Sequence, residues 1–315
     1  MFVDRFLDSF EEAPEEIVLD FDATDDPVHG DQEGKFFHGY YGCYCYLPLY
    51  VTCGDHLLVA KLRTSDRDAA DGAPEVLAYL VQRIRARWPK VRIIARGDSG
   101  FARDALMAWC ESHRVYYLLG LARNSRLLKT IGKELMQARE QFERTQHASR
   151  VFTHFHYRTL KSWSRSRRVI AKAEHLAKGA NPRFIVTNLP QAYAEPKRLY
   201  EKHYCARGDM ENRIKEQQLD LFADRTSTHT MRANQLRLWF SSTAYVLMSA
   251  LRRIALKGTQ LAKATCGTIR LKLLKIGAHI KISTRRILIH FASACPYQDA
   301  FHHAWGNLQH YPLRC

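Results

Sequence analysis

The chain has 315 residues, 46% of them hydrophobic, so it is long and apolar enough to bury a sizeable core, and a disordered protein is excluded. Its formal net charge is +16, but residues 1–33 hold 12 acidic residues and one arginine, so the rest of the chain carries +27. This excess favours a polyanionic partner, above all nucleic acid, over the alternative of a basic solvated surface without a partner.

The cysteine pattern and the hydropathy of the chain exclude further classes of protein. The eight cysteines include no CxxC pair, which argues against a zinc site and a disulfide scaffold. No signal peptide is apparent, and the longest apolar stretch, LWFSSTAYVLMSAL (238–251), is too short and too polar to span a bilayer. We therefore expect a cytoplasmic protein without a membrane partner.

The first 123 residues alternate between strand and helix patterns. Strands are predicted in IVLDFD (17–22), GYYGCYCYLPLYVTC (39–53), HLLVAKLR (56–63), VRIIARGDSGF (91–101) and VYYLLGLA (115–122). Helices are predicted in PEVLAYLVQRIRARW (74–88) and ARDALMAWCESH (102–113). The order β-β-β-α-β-α-β predicts an antiparallel meander followed by right-handed crossovers that add parallel strands.

The alternation of strand and helix patterns ends after residue 123. A charged helix is predicted near 124–145, and a small antiparallel β unit in RVFTHFHYRTL (150–160), RRVIAKAEHL (167–176) and RFIVTNLP (183–190). Helical patterns follow at 194–220 and 234–256. We therefore divide the chain into a first core segment (1–123), a basic helix with a β-rich insertion (124–193), core helices (194–256) and a C-terminal helical region (257–315).

Acidic residues occupy the ends of two predicted strands. Asp22 ends the first strand, Asp98 ends the strand at 91–97, and neighbouring parallel strands would bring both into one crevice at their carboxyl ends. Two close carboxylates repel each other unless a hard cation such as Mg²⁺ or Mn²⁺ bridges them. Taken singly, Asp22 with Thr24 could cap a turn, Asp98 could form an Asx-turn, and Glu211 could be a solvated helix residue.

Three motifs in chain order carry a resemblance to a known family. LDFDATDDPVHG, ARGDSGF and ARGDMENRIKEQ together resemble the RNase H-like DDE transposases of bacterial insertion sequences, and in particular insertion-sequence family thirteen-eighty. YCARGDME (204–211) is similar to the Y-x2-R-x3-E signature of one branch. The resemblance covers nearly the whole chain. It implies a mixed five-stranded α/β sheet flanked by helices, with a small β-rich insertion before the last catalytic helix and a helical C-terminal part.

The resemblance also implies site residues and chemistry. Asp22, Asp98 and Glu211 correspond to the catalytic, metal-binding triad, which the resemblance implies holds two Mg²⁺ or Mn²⁺ ions. Asp22 matches the family's Asp-small-Thr motif, although Asp20 remains a rival on the same strand face. Tyr204 and Arg207 are implied to contact DNA.

Further cations are candidates for DNA binding. The family signature continues to a lysine seven residues after the glutamate, where this chain has Gln218, so Lys215 is the nearest replacement. KSWSRSRR (161–168) surrounds one indole with positive charge, and Trp163 could either stack on an unpaired base or pack in a small core. The DNA-binding candidates of this segment are Trp163, Arg165, Arg167 and Arg168.

The resemblance implies metal-dependent DNA cleavage at insertion-sequence ends and strand transfer into target DNA. The expected partners are terminal-repeat and target DNA, with a homodimer as the active complex and nucleoid association when DNA is bound. Members of the family carry an N-terminal region that helps bind the element's ends, and we expect it to be missing here. The alternatives are a truncated transposase that only binds DNA or inhibits, and an RNase H-like nuclease without strand transfer.

Overall fold

The computed structural model describes residues 1–311, and its first half follows the predicted alternation of strands and helices. The elements are α1 (Phe2–Asp8), β1 (Glu16–Ala23), β2 (Asp26–Pro27), β3 (Phe36–His38), β4 (Cys43–Tyr46), β5 (Leu49–Cys53), β6 (His56–Lys61), α2 (Ala73–Arg87), β7 (Arg92–Gly97), α3 (Asp104–Ser112) and β8 (Tyr116–Leu121). The predicted long strand at 39–53 is wrong, because it breaks at Leu47 and Pro48, where proline removes a ladder donor. Its first part, β4, forms a separate three-stranded sheet with β2 and β3.

Five of these strands lie side by side in the order β6-β5-β1-β7-β8. β1, β7 and β8 are parallel, whereas β5 and β6 are antiparallel to their neighbours. The antiparallel pairing of β1, β5 and β6 and the parallel pairing of β1, β7 and β8 agree with the prediction. This arrangement puts the carboxyl ends of β1 and β7 next to each other.

The parallel strands are buried because helices cover both faces of the sheet. On one face, Ile93 and Ala95 of β7 belong to a core that includes α2, whose buried side chains Val76, Leu80 and Ile84 recur at helical spacing. On the other face, Ile94 belongs to a second core with the helical residues Leu199 and Tyr200.

The second half of the first unit continues the same sheet. Its elements are α4 (Ser125–Thr130), α5 (Gly132–Thr145), β9 (Ser149–Tyr157), β10 (Arg167–Leu176), β11 (Gly179–Ala180) and β12 (Arg183–Thr187). The four strands are antiparallel, as predicted, but β12 pairs with β8, so they are not a separate small unit. The predicted five strands are thus part of a nine-stranded mixed sheet.

The predicted helix at 194–220 is present and irregular. It comprises α6 (Pro196–Arg198), a π-helical segment Leu199–Tyr204, a 3₁₀ turn Cys205–Arg207, α7 (Gly208–Lys215) and a second π-helical segment Glu216–Asp220. The chain divides into two compact units within α7, Met1–Glu211 and Asn212–Cys315. This division falls inside the third predicted segment, 194–256, and the four-segment organisation stays a prediction.

The second unit contains helices and one hairpin. Its remaining elements are α8 (Met231–Arg253), α9 (Cys266–Ile269), a π-helical segment Arg270–Leu274, β13 (Ala278–Ile282), β14 (Ile287–Phe291) and α10 (Gln298–Gln309). The predicted C-terminal helical region, 257–315, also contains a hairpin that was not predicted, in which β13 and β14 pair antiparallel around the turn at 283–286. Within residues 1–311, no helix has the length and apolarity needed to cross a membrane.

Candidate active site at the ends of two parallel strands

Asp22 and Asp98 occupy equivalent positions on neighbouring parallel strands. The last aligned pair of β1 and β7 is Phe21 with Gly97, and each aspartate follows directly in its own chain. The sequence therefore brings both carboxylates to the carboxyl edge of the sheet, where α/β proteins bind ligands. This juxtaposition is the one predicted from the strand order.

The Asp98 carboxylate starts a tight turn. Its Oδ1 accepts a hydrogen bond from the Gly100 amide at 2.8 Å, and residues Ser99–Phe101 form a 3₁₀ turn. Phe101 is fully buried, with its ring 6.0 Å from that of Phe21. The Asx-turn foreseen as an alternative is thus present, and it fixes the Asp98 backbone while Oδ2 is not used by the turn.

Gly120 of β8 allows the Asp98 turn and Tyr204 to approach the sheet. A Cβ atom at Gly120 would lie 2.6 Å from the Tyr204 hydroxyl oxygen and 2.8 Å from the Ser99 amide nitrogen. Both distances are shorter than real Cβ contacts. A pocket of about 530 Å³ opens here, lined by Asp98, Tyr204, Tyr200, Arg123, Asn181 and Arg183 among others.

Replacing Gly120 by alanine should therefore displace Tyr204 or the Asp98 turn. We expect DNA cleavage to fall by up to about 100-fold, because displacements of about 1 Å in a catalytic site have effects of this size. Gly132→Ala is the matched control, since nothing lies within 4 Å of the added methyl group there. Full cleavage activity in Gly120→Ala would show that this close approach does not serve the chemistry.

Arg207 joins the third acidic residue to the first. Its Nη2 lies 2.8 Å from Glu211 Oε1, one helical turn later, and its Nη1 lies 3.5 Å from Asp22 Oδ2. Burial disfavours the Arg207 cation, but Asp22 and Glu211 outweigh this effect and raise its pKa. Asp22, Arg207 and Glu211 thus form one connected charge group.

The Asp22 carboxyl is unusually hard to ionise. Burial raises its pKa to about 7, and the Asp98 and Glu211 charges act in the same direction, whereas Arg207 opposes the shift. Because Asp22 is buried, each charge that the fold places near it has a large effect on its pKa. A bound cation would relieve this excess of negative charge.

The rival acid Asp20 is already paired. The Arg96 guanidinium of β7 donates to both Asp20 oxygens, with Nη2 at 2.7 Å from Oδ2, and it also donates to the His203 carbonyl. Asp20 is 5% exposed, so this ion pair lies in the interior. Both oxygens of Asp20 are used by Arg96, which makes Asp22 the better candidate for a ligand.

The donor set suits a hard divalent cation. Asp22, Asp98 and Glu211 supply only carboxylate oxygens, which select Mg²⁺ or Mn²⁺ over softer metals. Among the described residues, no three His, Cys, Asp or Glu side chains are grouped closely enough to form a ready metal cluster. Asp22 and Glu211 contact Arg207 instead, so holding a cation requires Arg207 to release them.

The family of the chain follows from a whole-length match. The family model described as Transposase DDE domain group 1 matches residues 1–313. The chain belongs to this DDE transposase family. No curated protein matches the chain.

Among the solved structures that are similar to this chain is a transposase complex. It is the cryo-EM structure of piggyBac transposase synaptic complex with hairpin DNA, with a TM-score of 0.45 and 10% sequence identity. The match covers 81% of this chain and 51% of that chain. This DDE transposase chain thus spans about half the length of that relative.

The basic segment 161–168 is a largely exposed loop, but Trp163, Arg167 and Arg168 within it are buried. The Trp163 indole is 4% exposed, lies in the main core and packs edge-on against Tyr157 at 5.8 Å. Arg167 is also buried and pairs with Asp104 and Glu111. These positions disfavour base stacking by Trp163 and DNA contact by Arg167, because Trp163 packs in the core and two carboxylates occupy the Arg167 guanidinium, and both contacts stay predictions.

Two other DNA-binding candidates keep exposed side chains. Arg165 is 67% exposed at its side chain and lies 3.8 Å from Glu111. Lys215 lies in α7 just beyond the division between the units and is exposed. Their contact with DNA stays a prediction, as does that of Tyr204 and Arg207.

Trp163→Ala should destabilise the transposase by about 3 to 5 kcal/mol, the usual cost of removing a buried tryptophan side chain. Chemical denaturation gives this free energy directly. Leu160→Ala, in the same loop and 82% exposed, should change it by only about 0.5 kcal/mol or less. A stable Trp163→Ala protein that loses cleavage would restore the base-stacking hypothesis.

Sequence reasoning missed several residues around the site. Tyr41 donates a hydrogen bond to the Ala23 carbonyl at 3.4 Å, and burial together with Asp25 and Asp22 raises its pKa. Arg123 and Arg183 line the pocket beside Asp98. The sequence predicts only a strand for the aromatic run at 39–46, and these two arginines follow or begin strands for which it predicts no pairing with each other.

Proposed function

We propose that this chain is a transposase that cuts DNA at the ends of a mobile element and joins the freed 3′ end to target DNA. The observation that carries the proposal is the arrangement of Asp22 and Asp98 at adjacent strand ends, with Glu211 connected to Asp22 through Arg207. Membership of the DDE transposase family supports the same reaction class. Insertion-sequence family thirteen-eighty remains the proposed branch.

Asp22, Asp98 and Glu211 are the proposed ligands of Mg²⁺ or Mn²⁺. When bound, two such ions would activate an attacking hydroxyl or water and stabilise the leaving oxygen of a phosphodiester. The protein's part is to hold the three carboxylates on a fixed edge. The β1 and β7 backbones and the Asp98 turn supply that rigidity.

Arg207 has two proposed roles in sequence. Without DNA, it neutralises Asp22 and Glu211 and so keeps the buried carboxylates compatible with folding. With DNA, its guanidinium can donate two parallel hydrogen bonds to a phosphate near the scissile bond. This exchange frees both carboxylates at the moment that the substrate arrives.

DNA phosphates also fit the charge of the chain. Residues 34–315 carry a net charge of +27, so the affinity for DNA should fall steeply as the salt concentration rises. Two copies of the chain in the active complex and binding to terminal repeats are part of the proposal.

The test is strand cleavage of labelled DNA carrying the element's ends. We expect nicking with Mg²⁺ or Mn²⁺ and none in EDTA, followed by joined products when target DNA is added. Cleavage without joined products would identify a nuclease instead. DNA binding without cleavage under any divalent ion would leave a binding or inhibitory protein.

A further inference from the structure

Arg168 is a buried cation without a counter-ion in the described part of the chain. It lies on β10 with 8% of its surface exposed, and its Nη1 donates to the Leu189 carbonyl at 3.1 Å. Its Nε and Nη2 are buried without a hydrogen-bond partner. Within residues 1–311, no carboxylate lies within ion-pair distance of Arg168. Buried donors without acceptors are costly, and a guanidinium stays charged at any physiological pH.

The neighbouring charges do not supply the missing partner. Arg167, on the opposite face of β10, is bound by Asp104 at 2.6 Å and Glu111 at 2.7 Å. Arg165 lies 3.8 Å from the same Glu111. Two arginines and two carboxylates thus balance each other, and the positive charge of Arg168 is left over.

Arg168 lines a cavity of about 350 Å³ with further cationic and imidazole groups. Its charged and imidazole lining residues are Arg165, Arg167, Arg168, His154, His156 and the Glu111 carboxylate, which is paired with Arg167. His156 lies opposite Arg168 across the β9–β10 ladder, and Thr187 lies opposite it on β12. Three adjacent strands therefore form the floor of the cavity.

One wall of the cavity is held rigidly. The Asn188 side chain accepts from the Tyr117 amide at 2.8 Å and donates to the Val115 carbonyl at 2.9 Å. Thr187 Oγ1 donates to the Tyr117 carbonyl and accepts from the Leu189 amide. These bonds fix the segment whose Leu189 carbonyl holds Arg168, so the cavity is a built feature of the sheet.

We propose that this cavity binds a backbone phosphate of DNA, with Arg168 as its principal ligand and Arg165 and His156 at its sides. Because Nε and Nη2 of Arg168 are enclosed in the DNA-free chain, the side chain has to turn into the cavity before a phosphate oxyanion can accept hydrogen bonds from them and supply the absent negative charge. DNA is the assigned source of the phosphate because the chain's large basic excess attracts a polyanion. The inference rests on the proposed function and adds a second anchor for DNA on the β9–β10–β12 part of the sheet.

The test measures binding of a fluorescein-labelled DNA duplex by anisotropy over a range of salt, in EDTA so that the DNA stays intact. Arg168→Gln should bind about tenfold more weakly, since one charge-assisted contact is lost. The slope of log affinity against log salt should fall by about 0.9, the value for one phosphate. Arg168→Lys should keep most of the slope.

Arg139→Gln is the matched control, because it removes the same charge from an exposed residue of α5. It should change affinity by about twofold or less. The thermal midpoint of DNA-free Arg168→Gln should not fall, because a buried charge without a counter-ion is removed. Wild-type affinity and slope in Arg168→Gln would overturn the inference, and so would a large fall in its midpoint, which would assign Arg168 to holding Leu189.

Inorganic phosphate separates the two sources of the anion. If phosphate raises the wild-type midpoint but Arg168→Gln binds DNA normally, the cavity is a site for free phosphate and the DNA assignment is wrong. The proposed function is tested by a separate measurement, which is DNA cleavage by the wild-type chain. A wild-type chain that cleaves DNA while Arg168→Gln binds it normally refutes only this inference, whereas Arg168-dependent binding without any cleavage refutes only the proposed reaction.

Discussion

Asp98→Ala should abolish Mg²⁺-dependent DNA cleavage while leaving DNA affinity and the thermal midpoint nearly unchanged. The carboxylate is a proposed metal ligand at the edge of the sheet, and its loss removes a ligand that no neighbour can replace. The turn that it starts keeps its backbone bond from Phe101 to the Asp98 carbonyl at 3.2 Å. We expect a loss of cleavage of at least about 1,000-fold, the scale of removing a group that acts only in the transition state.

Asp66→Ala is the control for Asp98→Ala, because Asp66 is an exposed aspartate in a loop of the same unit. It should cleave DNA like the wild type. If Asp98→Ala loses its DNA affinity or unfolds at a much lower temperature, Asp98 serves the fold through its turn. Retained cleavage would remove Asp98 from the active site altogether.

Asp22→Asn and Asp20→Asn should have opposite effects on stability. Asn at position 20 leaves the buried Arg96 cation with a poorer partner, and breaking a buried ion pair costs about 3 to 5 kcal/mol. Asn at position 22 removes a carboxyl that resists ionisation, so the free energy of unfolding should hold or rise at pH 8. Cleavage should vanish in Asp22→Asn, and in Asp20→Asn it should fall only in proportion to the folded fraction.

The pH dependence gives a second check on Asp22. Its pKa is about 7 in the folded chain against 3.8 for an unperturbed aspartate, so the folded state binds the proton more tightly. Its contribution to stability is fully present below pH 3.8 and is lost as the pH rises towards and through 7. The wild type should therefore gain stability relative to Asp22→Asn as the pH falls from 8 to 5. A constant difference, or full cleavage by Asp22→Asn, would contradict the assignment.

The positions of Asp22 and Asp98 could be predicted from the sequence, because each residue lies at the end of a strand that can be recognised locally. Alternation in IVLDFD and the apolar run before Asp98 are local patterns, and two crossovers are enough to bring the strands together. The Arg96 pairing that separates Asp20 from Asp22 could also have been inferred, since Arg96 lies opposite Asp20 in the register of β1 and β7.

Non-local packing limited the rest of the prediction. The sequence leaves both base stacking and packing open for Trp163, and only the pairing of β12 with β8 shows that this segment joins the main sheet. The close approach of the Tyr204 hydroxyl to Gly120 joins two residues that are distant in sequence. In β13 the exposed Ile280 and Ile282 alternate with His279 and Lys281, a period-two pattern that favours a strand over a helix.

Manganese binding tests the central claim, that Asp22, Asp98 and Glu211 act together as one divalent-ion site. Electron paramagnetic resonance of Mn²⁺ with the intact chain and uncleavable DNA measures bound ions without requiring catalysis. We predict that the wild type binds Mn²⁺ and that Asp22→Asn, Asp98→Ala and Glu211→Gln each weaken this binding at least about tenfold, whereas Asp66→Ala does not. Unchanged Mn²⁺ binding in the three variants would contradict the account.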